Sequence, residues 1–374
     1  MTKILKKKWG LLLTIVVAVL FMTSCGGAAP AASWPGLTVA EGVVYAALTD
    51  GRVHALNADT GSEKWVFPAE TGKSSGFLGC SSPSSTEGPI YAAPAVGDDL
   101  VYVGSYNSTL YAINTVAGIA QWNFPTGDRI VAAPVVAGDT VYLASSDQHV
   151  YALDVATGTE RWRFQAGHWV WASPLVDQKS GAVYVATMGR EVYRLRLSDG
   201  MPEWEEAFTA QGAIAAAPAL AGDLLIFGSF DGQVYAVDAG TGAERWTFQT
   251  DGWVWSTPLV IDDTIYIGSQ DHKVYALNVE NGMKLWEFQT NGAVRDTLAY
   301  GDGTLYVGSE DKMVYALDAQ TGKPEWTFTA EERILSPLVL AEETLYVVSM
   351  NGQVYALNPV SGTQVWRYPL PEQK

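Results

Sequence analysis

The sequence is poor in cysteine, histidine and basic residues, and each scarcity removes a class of function. Two cysteines, Cys25 and Cys80, occur in 374 residues, too few for a disulfide framework. Four histidines, His54, His149, His168 and His272, stand far apart in the chain. No two have the spacing of a metal-binding pair, so no metal site is expected. The 23 lysines and arginines face 40 acidic residues, a net charge of −17. A surface this acidic repels nucleic acid, which is excluded as a partner. One apolar run stands out, Leu11 to Met22, and it is short for a membrane span.

That run follows Lys3, Lys6, Lys7 and Lys8 and ends in Met22-Thr23-Ser24-Cys25. A basic start, an apolar core and small residues form a secretory signal. The ending resembles the lipobox of bacterial lipoproteins, with Met where Leu is usual. The expectation is that residues 1–24 are removed and that Cys25 carries lipid. Residues 25–33 then read as a flexible tether, and 34–374 as the folded domain. Loss of the signal removes four basic residues and leaves 19 against 40 acidic ones, a net charge of −21. The expected location is extracytoplasmic and lipid-anchored, on the periplasmic face of an outer membrane or on the cell surface.

What the chain has in abundance is tryptophan and tyrosine, 14 and 18 residues. Eight tryptophans are regularly spaced: Trp65, Trp122, Trp162, Trp204, Trp246, Trp286, Trp326 and Trp366. After a first gap of 57 residues, the gaps are 40, 42, 42, 40, 40 and 40. A glycine precedes each by four residues: Gly61, Gly118, Gly158, Gly200, Gly242, Gly282, Gly322 and Gly362. A period near 40 with alternating apolar residues means β-propeller blades of about four strands. In the third unit, Ala133–Val136, Thr140–Ser145, Val150–Asp154 and Glu160–Phe164 read as the four strands. The turn at Asp147-Gln148 corresponds to Asp231-Gly232 and Asn351-Gly352. It is expected to be a two-residue hairpin with positive φ at both central residues. Each repeated tryptophan is assigned to a slot between blades. No spare strand is evident at either end of the domain, so ring closure rests on docking of the eighth blade on the first, with a strand recruited from residues 28–33 as the alternative.

The pattern Tyr315-Ala316-Leu317-Asp318, Thr321-Gly322, Trp326, Phe328 resembles the tryptophan-docking repeat of the pyrroloquinoline-quinone (PQQ) propeller superfamily. The resemblance covers residues 34 to 368 and implies an all-β, eight-bladed propeller of four-stranded antiparallel blades. Units 2 and 4 depart from it, with Ala117 for Thr and Arg196 for Asp. The superfamily includes both enzymes and scaffolds. The enzyme branch implies a PQQ cofactor, a ring of adjacent cysteines and calcium ligands. No Cys-Cys pair is present, so no catalytic residue and no cofactor are assigned. Length and signal together resemble the BamB-type family of outer-membrane assembly lipoproteins. That resemblance implies a non-enzymatic, monomeric scaffold, tethered to a membrane, that binds a protein through loops on one propeller face. The alternatives are a ligand-binding or sensory propeller with a Trp-rich channel mouth and, more remotely, a relative of PQQ-dependent dehydrogenases.

Three departures from the repeat mark candidate surfaces. The link between units 1 and 2 is 17 residues longer than the next and carries Phe77, Leu78 and Cys80. Two links carry paired tryptophans, Trp169 with Trp171 and Trp253 with Trp255. Aligned with Ile130 and Ala132, and with Ile214 and Ala216, these four are expected to plug the channel mouth rather than line it. Finally, Arg295-Asp296 stands where other links have small residues, and Arg129 and Arg333 are placed on neighbouring links. Local ion pairing with Asp296 or Glu332 is expected. The rival reading is a basic patch for an acidic partner.

Overall fold

Alternation of apolar residues produces strands with two covered faces, and a computed structural model of the chain shows how they are covered. It describes residues 35–69, 89–90, 92–296 and 298–369. Within them are eight four-stranded antiparallel sheets, each built in chain order. The first blade comprises Gly36–Ala40, Val43–Ala47, Val53–Asn57 and Glu63–Phe67. The eighth comprises Val339–Ala341, Thr344–Val348, Val354–Leu357 and Gln364–Tyr368. No helix occurs among the described residues. Cys25, Phe77, Leu78, Cys80, the signal and the tether lie outside them.

Each apolar cluster belongs to two blades at once. Val43, Ala55, Val101 and Ile113 join blades 1 and 2, and Val183, Val150, Ala152 and Leu195 join blades 3 and 4. The same holds around the ring, up to the cluster of Val348, Ala356, Val44 and Leu56 between blades 8 and 1. Burial therefore acts between blades, at about 25 cal/mol per Å² of apolar surface removed from water.

The repeated tryptophan and glycine meet across each seam. Trp246 Nε1 donates to the Val279 carbonyl at 2.9 Å, and a Cβ placed on Gly282 would lie 2.5 Å from the Trp246 ring. Gly282 also has φ of 69°, where a side chain is strained. Glycine is thus required twice over, for the turn and for the ring above it. Tyrosine on the second strand reinforces the dock: Tyr266 hydroxyl and Trp286 Nε1 donate to one carbonyl, that of Ala319, at 3.0 and 2.9 Å. The last seam is built like the others. Trp366 Nε1 donates to the Ala58 carbonyl at 2.8 Å, and a Cβ on Gly61 would meet its ring at 2.6 Å. The ring closes by docking, with no strand shared between its ends among the described residues.

One local expectation needs correction. Positive φ occurs at Gln148, Gly232 and Gly352 but not at the residue before each. Ser145 N donates to His149 O, and Gln148 N to Ser145 O. This is the longer loop in which a tight turn is followed by one left-handed residue. Asp147 explains the choice: its Oδ1 accepts from His149 N at 2.9 Å and its Oδ2 from Tyr151 hydroxyl at 2.7 Å. In blade 4 the outer strand is only Phe208–Thr209. Three residues separate Trp204 from Phe208 where other blades have one, and the strand breaks there. Trp204 still donates to Ala239 O at 3.3 Å.

Candidate functional site

Six of the links from an outer strand to the next inner strand are each pinned by one buried apolar residue. Ile130, Val170, Ile214, Val254, Val294 and Ile334 fill this position, all at most 1 % exposed. Each backbone N–H donates to a residue of the previous blade's hairpin turn, as Val170 N does to Ser145 O and Val254 N to Ser229 O. This shifts the expected alignment by one residue. Trp169 and Trp171 flank the buried anchor, so they correspond to Arg129 and Val131 and to Ala213 and Ala215, not to Ile130 and Ala132. The residue before each anchor accepts from the next blade's turn: Arg129 O from Ser146 N, Trp169 O from Met188 N, Trp253 O from Gln270 N.

The residues after the anchors gather around the ring axis. Val131, Trp171, Ala215, Trp255 and Leu335 line one cavity of about 320 Å³, together with Asp296 and residues from every other blade. Trp171 and Trp255 are therefore on the wall of this cavity. Asp296 is on the wall, and Arg295 has turned aside. The Arg295 guanidinium lies 5.6 Å from the centre of the Trp255 ring and pairs with Glu310. Glu310 sits on the hairpin turn next to the Arg295 link and gives this arginine a local ion pair.

Of the residues before the anchors, two tryptophans are exposed on this rim, whereas Ala293 is buried. Trp169 is 38 % exposed and Trp253 51 %. Both rings are held flat. Trp169 stacks on Trp171 with centroids 5.7 Å apart and planes within 10°, and Trp253 stacks on Phe230 at 4.9 Å and 8°. Trp171 is fixed in turn by donation from Nε1 to Ser146 Oγ at 3.0 Å. Between the two aromatic shoulders, the link into blade 5 carries only Ala213 and Ala215, and Phe230 sits on the turn beside them, its N–H bonded to Ala213 O. Below Phe230, Asp231 accepts from Tyr235 hydroxyl at 2.8 Å. Burial, with that carboxylate adding to it, pushes the Tyr235 phenol up to about 12.

The three arginines do not form one patch. Arg129 is on the link into blade 3, opposite the link of Arg295 into blade 7. Arg129 lies over the Tyr106 ring at 5.6 Å, and Arg333 Nε is 3.8 Å from Glu332. Sequence reasoning missed Phe230 and Glu310, which occupy the variable position just after the buried serine (threonine at Thr187) of the hairpin turn. Tyr106, Ser146, Met188 and Gln270 are their counterparts.

Chemistry at the axis is limited by its wall. Among the described lining residues Asp296 alone is charged, and the described residues hold no cluster of three metal-ligating side chains. PQQ is a polyanion, and the described residues of this wall include no cation to receive it, so they do not fit that cofactor. Gly72-Lys73-Ser74-Ser75-Gly76 has the spacing of a nucleophile elbow, a motif that needs a strand-to-helix turn, and it lies outside the described residues.

Comparison with known proteins agrees with this geometry. A stretch of 85 residues is 27 % identical to the quinohemoprotein alcohol dehydrogenase of Comamonas testosteroni, covering 23 % of this chain and 11 % of that enzyme. The structure of BamB from Moraxella catarrhalis superimposes with a TM-score of 0.70 at 20 % identity, covering 85 % of this chain and 94 % of that one. A computationally designed protein, Ika8, superimposes with a TM-score of 0.73 at 16 % identity, over 87 % and 96 % of the two chains. Both likenesses are of fold. A protein-family model described as outer membrane protein assembly factor BamB matches residues 72–213, 209–299 and 290–374. The chain therefore belongs to the BamB family of PQQ-like repeat propellers.

Proposed function

We propose that this propeller is a non-enzymatic scaffold, held outside the cytoplasm by lipid on Cys25, whose aromatic rim receives a partner protein. Membership of the BamB family supports the scaffold role. By that kinship the expected partner is the barrel-assembling protein of an outer membrane. The single observation that carries the rim assignment is the pair of exposed indoles, Trp169 and Trp253, held flat by rings beneath them. Large aromatics fixed in advance lose little entropy on binding and serve as interface anchors.

The test is capture of the partner from membranes in mild detergent by tagged full-length protein. Replacing both Trp169 and Trp253 by Ala weakens capture about thirtyfold or more, the effect of losing one strong anchor worth about 2 kcal/mol. Thermal melts stay within a few degrees, since both side chains are solvent-facing. Asp139→Lys, on the opposite face, leaves capture unchanged. Equal capture by wild type and the double variant refutes the rim assignment. Oxidation of an alcohol by the purified protein with added PQQ refutes the scaffold reading itself. Mass spectrometry of the mature N-terminus decides the anchor: a lipid on Cys25 is expected, and an intact residue 1 or an unmodified Cys25 refutes it.

A further inference from the structure

We infer that an open groove between blades 3 and 4 binds a neutral polyhydroxyl compound of the oligosaccharide class. This goes beyond the rim reading and does not rest on it. The groove holds about 620 Å³, within the roughly 300–1,000 Å³ range of ligand pockets. Blade 3 contributes its first turn, Gly138-Asp139, and Arg161. Blade 4 contributes Gln178 and Ser180 on one turn and Arg196 and Ser198 on another. The first turn of a blade lies at the far end of the strand that begins at the rim link, so the groove is on the opposite face.

Blade 4 shapes the groove by departing from the repeat, and such departures mark functional places. Its first turn has four residues, 178–181, against two in blade 3. Arg194 replaces the alanine, and Arg196 the Asp or Asn, that the other seven blades carry at these places. Glu203 joins the two: its Oε2 is 3.2 Å from Arg194 Nη1 and its Oε1 3.6 Å from Arg196 Nε. The dock is altered at the same seam. At five other seams the tryptophan and a tyrosine of the second strand donate to one carbonyl, as Trp204 and Tyr184 do to Ala239 O. Between blades 3 and 4, among the described residues, Trp162 alone donates to Leu197 O, at 3.0 Å. Tyr142, 2 % exposed, is on the groove wall instead, with Thr140 as its polar neighbour.

Balanced charge selects the class of ligand. On the wall, Asp139 and Glu203 offset Arg161 and Arg196. Each arginine is already paired, Arg161 with Asp139 and Asp154 at 2.8 Å and Arg196 with Asp199 at 2.8 Å. A charged ligand of either sign meets as much repulsion as attraction here. A hydroxyl both donates and accepts, so a neutral ligand with many hydroxyls finds partners of both kinds. Half of the Arg196 side chain and most of the Asp139 side chain stay exposed beside their ion pairs. Both therefore reach a ligand and give it charge-assisted hydrogen bonds. The Gln178 amide and the Ser180 and Ser198 hydroxyls add neutral donors and acceptors. Leu197 and Trp162 supply apolar lining for the carbon atoms of a sugar ring.

The experiment uses full-length protein and trisaccharides of one size and three charges. The trimers of N-acetylglucosamine and of glucose are neutral, that of galacturonate is anionic, and that of glucosamine is cationic at about pH 6. Calorimetric titration reads the affinity of each. At least one neutral trimer is expected to bind with a Kd below about 5 mM, and at least about fivefold more tightly than either charged one. Arg196→Asn gives blade 4 the residue type of the other blades, so the fold is kept, and it weakens binding at least about tenfold. Tyr142→Phe removes no bond to the docking carbonyl, so the melting temperature stays within a few degrees while binding weakens at least about threefold. Ser198→Trp, on an exposed turn, fills the groove and abolishes binding. Replacing both Trp169 and Trp253 by Ala leaves binding unchanged. Failure of both neutral trimers to bind at about 5 mM overturns the inference. Equal or tighter binding of a charged trimer overturns the ligand class. Affinity unchanged in any two of the three groove variants, or lost in the rim variant, overturns the location.

Discussion

Glycine in this protein does two separable jobs, and a pair of substitutions separates them. Gly222 has φ of 63° and open space for 4 Å around the place a methyl group would take, whereas Gly282 has φ of 69° and the Trp246 ring at 2.5 Å. Gly222→Ala is expected to cost about 1 kcal/mol, the strain of a left-handed alanine. Gly282→Ala adds overcrowding and is expected to cost about 3 kcal/mol or more. Urea unfolding midpoints measure both, and equal losses would remove the ring contact as a cause. Titration adds a second expectation at this scale. Burial pushes Tyr102, Tyr193 and Tyr235 up to about 12. Raised groups contribute stability that is complete below about pH 10 and is lost as pH rises toward 12. Hydrogen bonds from Arg161 and Arg245 hold Asp154 and Asp238 at about 2. Their contribution is present above the ordinary aspartate range and fades as pH falls toward 2. Melting temperature followed against pH is therefore expected to be flat in the neutral range and to fall at both ends. A steep change between pH 6 and 8 contradicts this.

Blade 4 shows how much one element tolerates. Its outer strand breaks after Trp204, yet the dock to blade 5 survives. Deleting Glu205 and Glu206 restores one residue between Trp and Phe. The expected result is slower amide exchange over Tyr193–Arg196, as the outer strand lengthens beside them, and no loss of melting temperature. Faster exchange or a lower melting temperature would mean that the break itself stabilises the blade. The strands and docks were legible because Trp, Gly and the Tyr-Ala-Leu strand recur at fixed spacing, and periodicity reports local geometry directly. The hairpin was misread because Asp-Gly suits two loop types, and only the side-chain bonds of Asp147 and Asp231 decide between them. The rim was legible in part. Trp169 and Trp253 stood out as departures, but their supports did not. Phe230 lies 23 residues before Trp253 on another blade's turn, and no periodic signal joins the two. The one-residue shift at Val170 has the same origin, since the anchor is identified by a bond to Ser145 that spacing alone does not reveal.

At the scale of the whole molecule, every seam carries the same contact of tryptophan on glycine. Trp204 and Trp366 are buried alike, at 6 % and 7 % exposure. Trp366→Ala, at the seam that joins the two ends, is expected to cost about the same as Trp204→Ala, roughly 3–5 kcal/mol each. A much larger loss for Trp366, measured by denaturant unfolding, would show that the closing seam is special. A much smaller one would show that the ring holds without it.

With no strand shared at that seam among the described residues, the docked ring has no first blade. Nothing in the docked circle records the order in which its blades are synthesised. A circular permutant with its old ends joined and new ones opened at the Ala210–Ala213 link is therefore expected to fold to the same melting temperature, within the cost of one cut loop. Blades of this kind are interchangeable units of growth, and a chain that gains or loses one need only close a slightly wider or narrower circle.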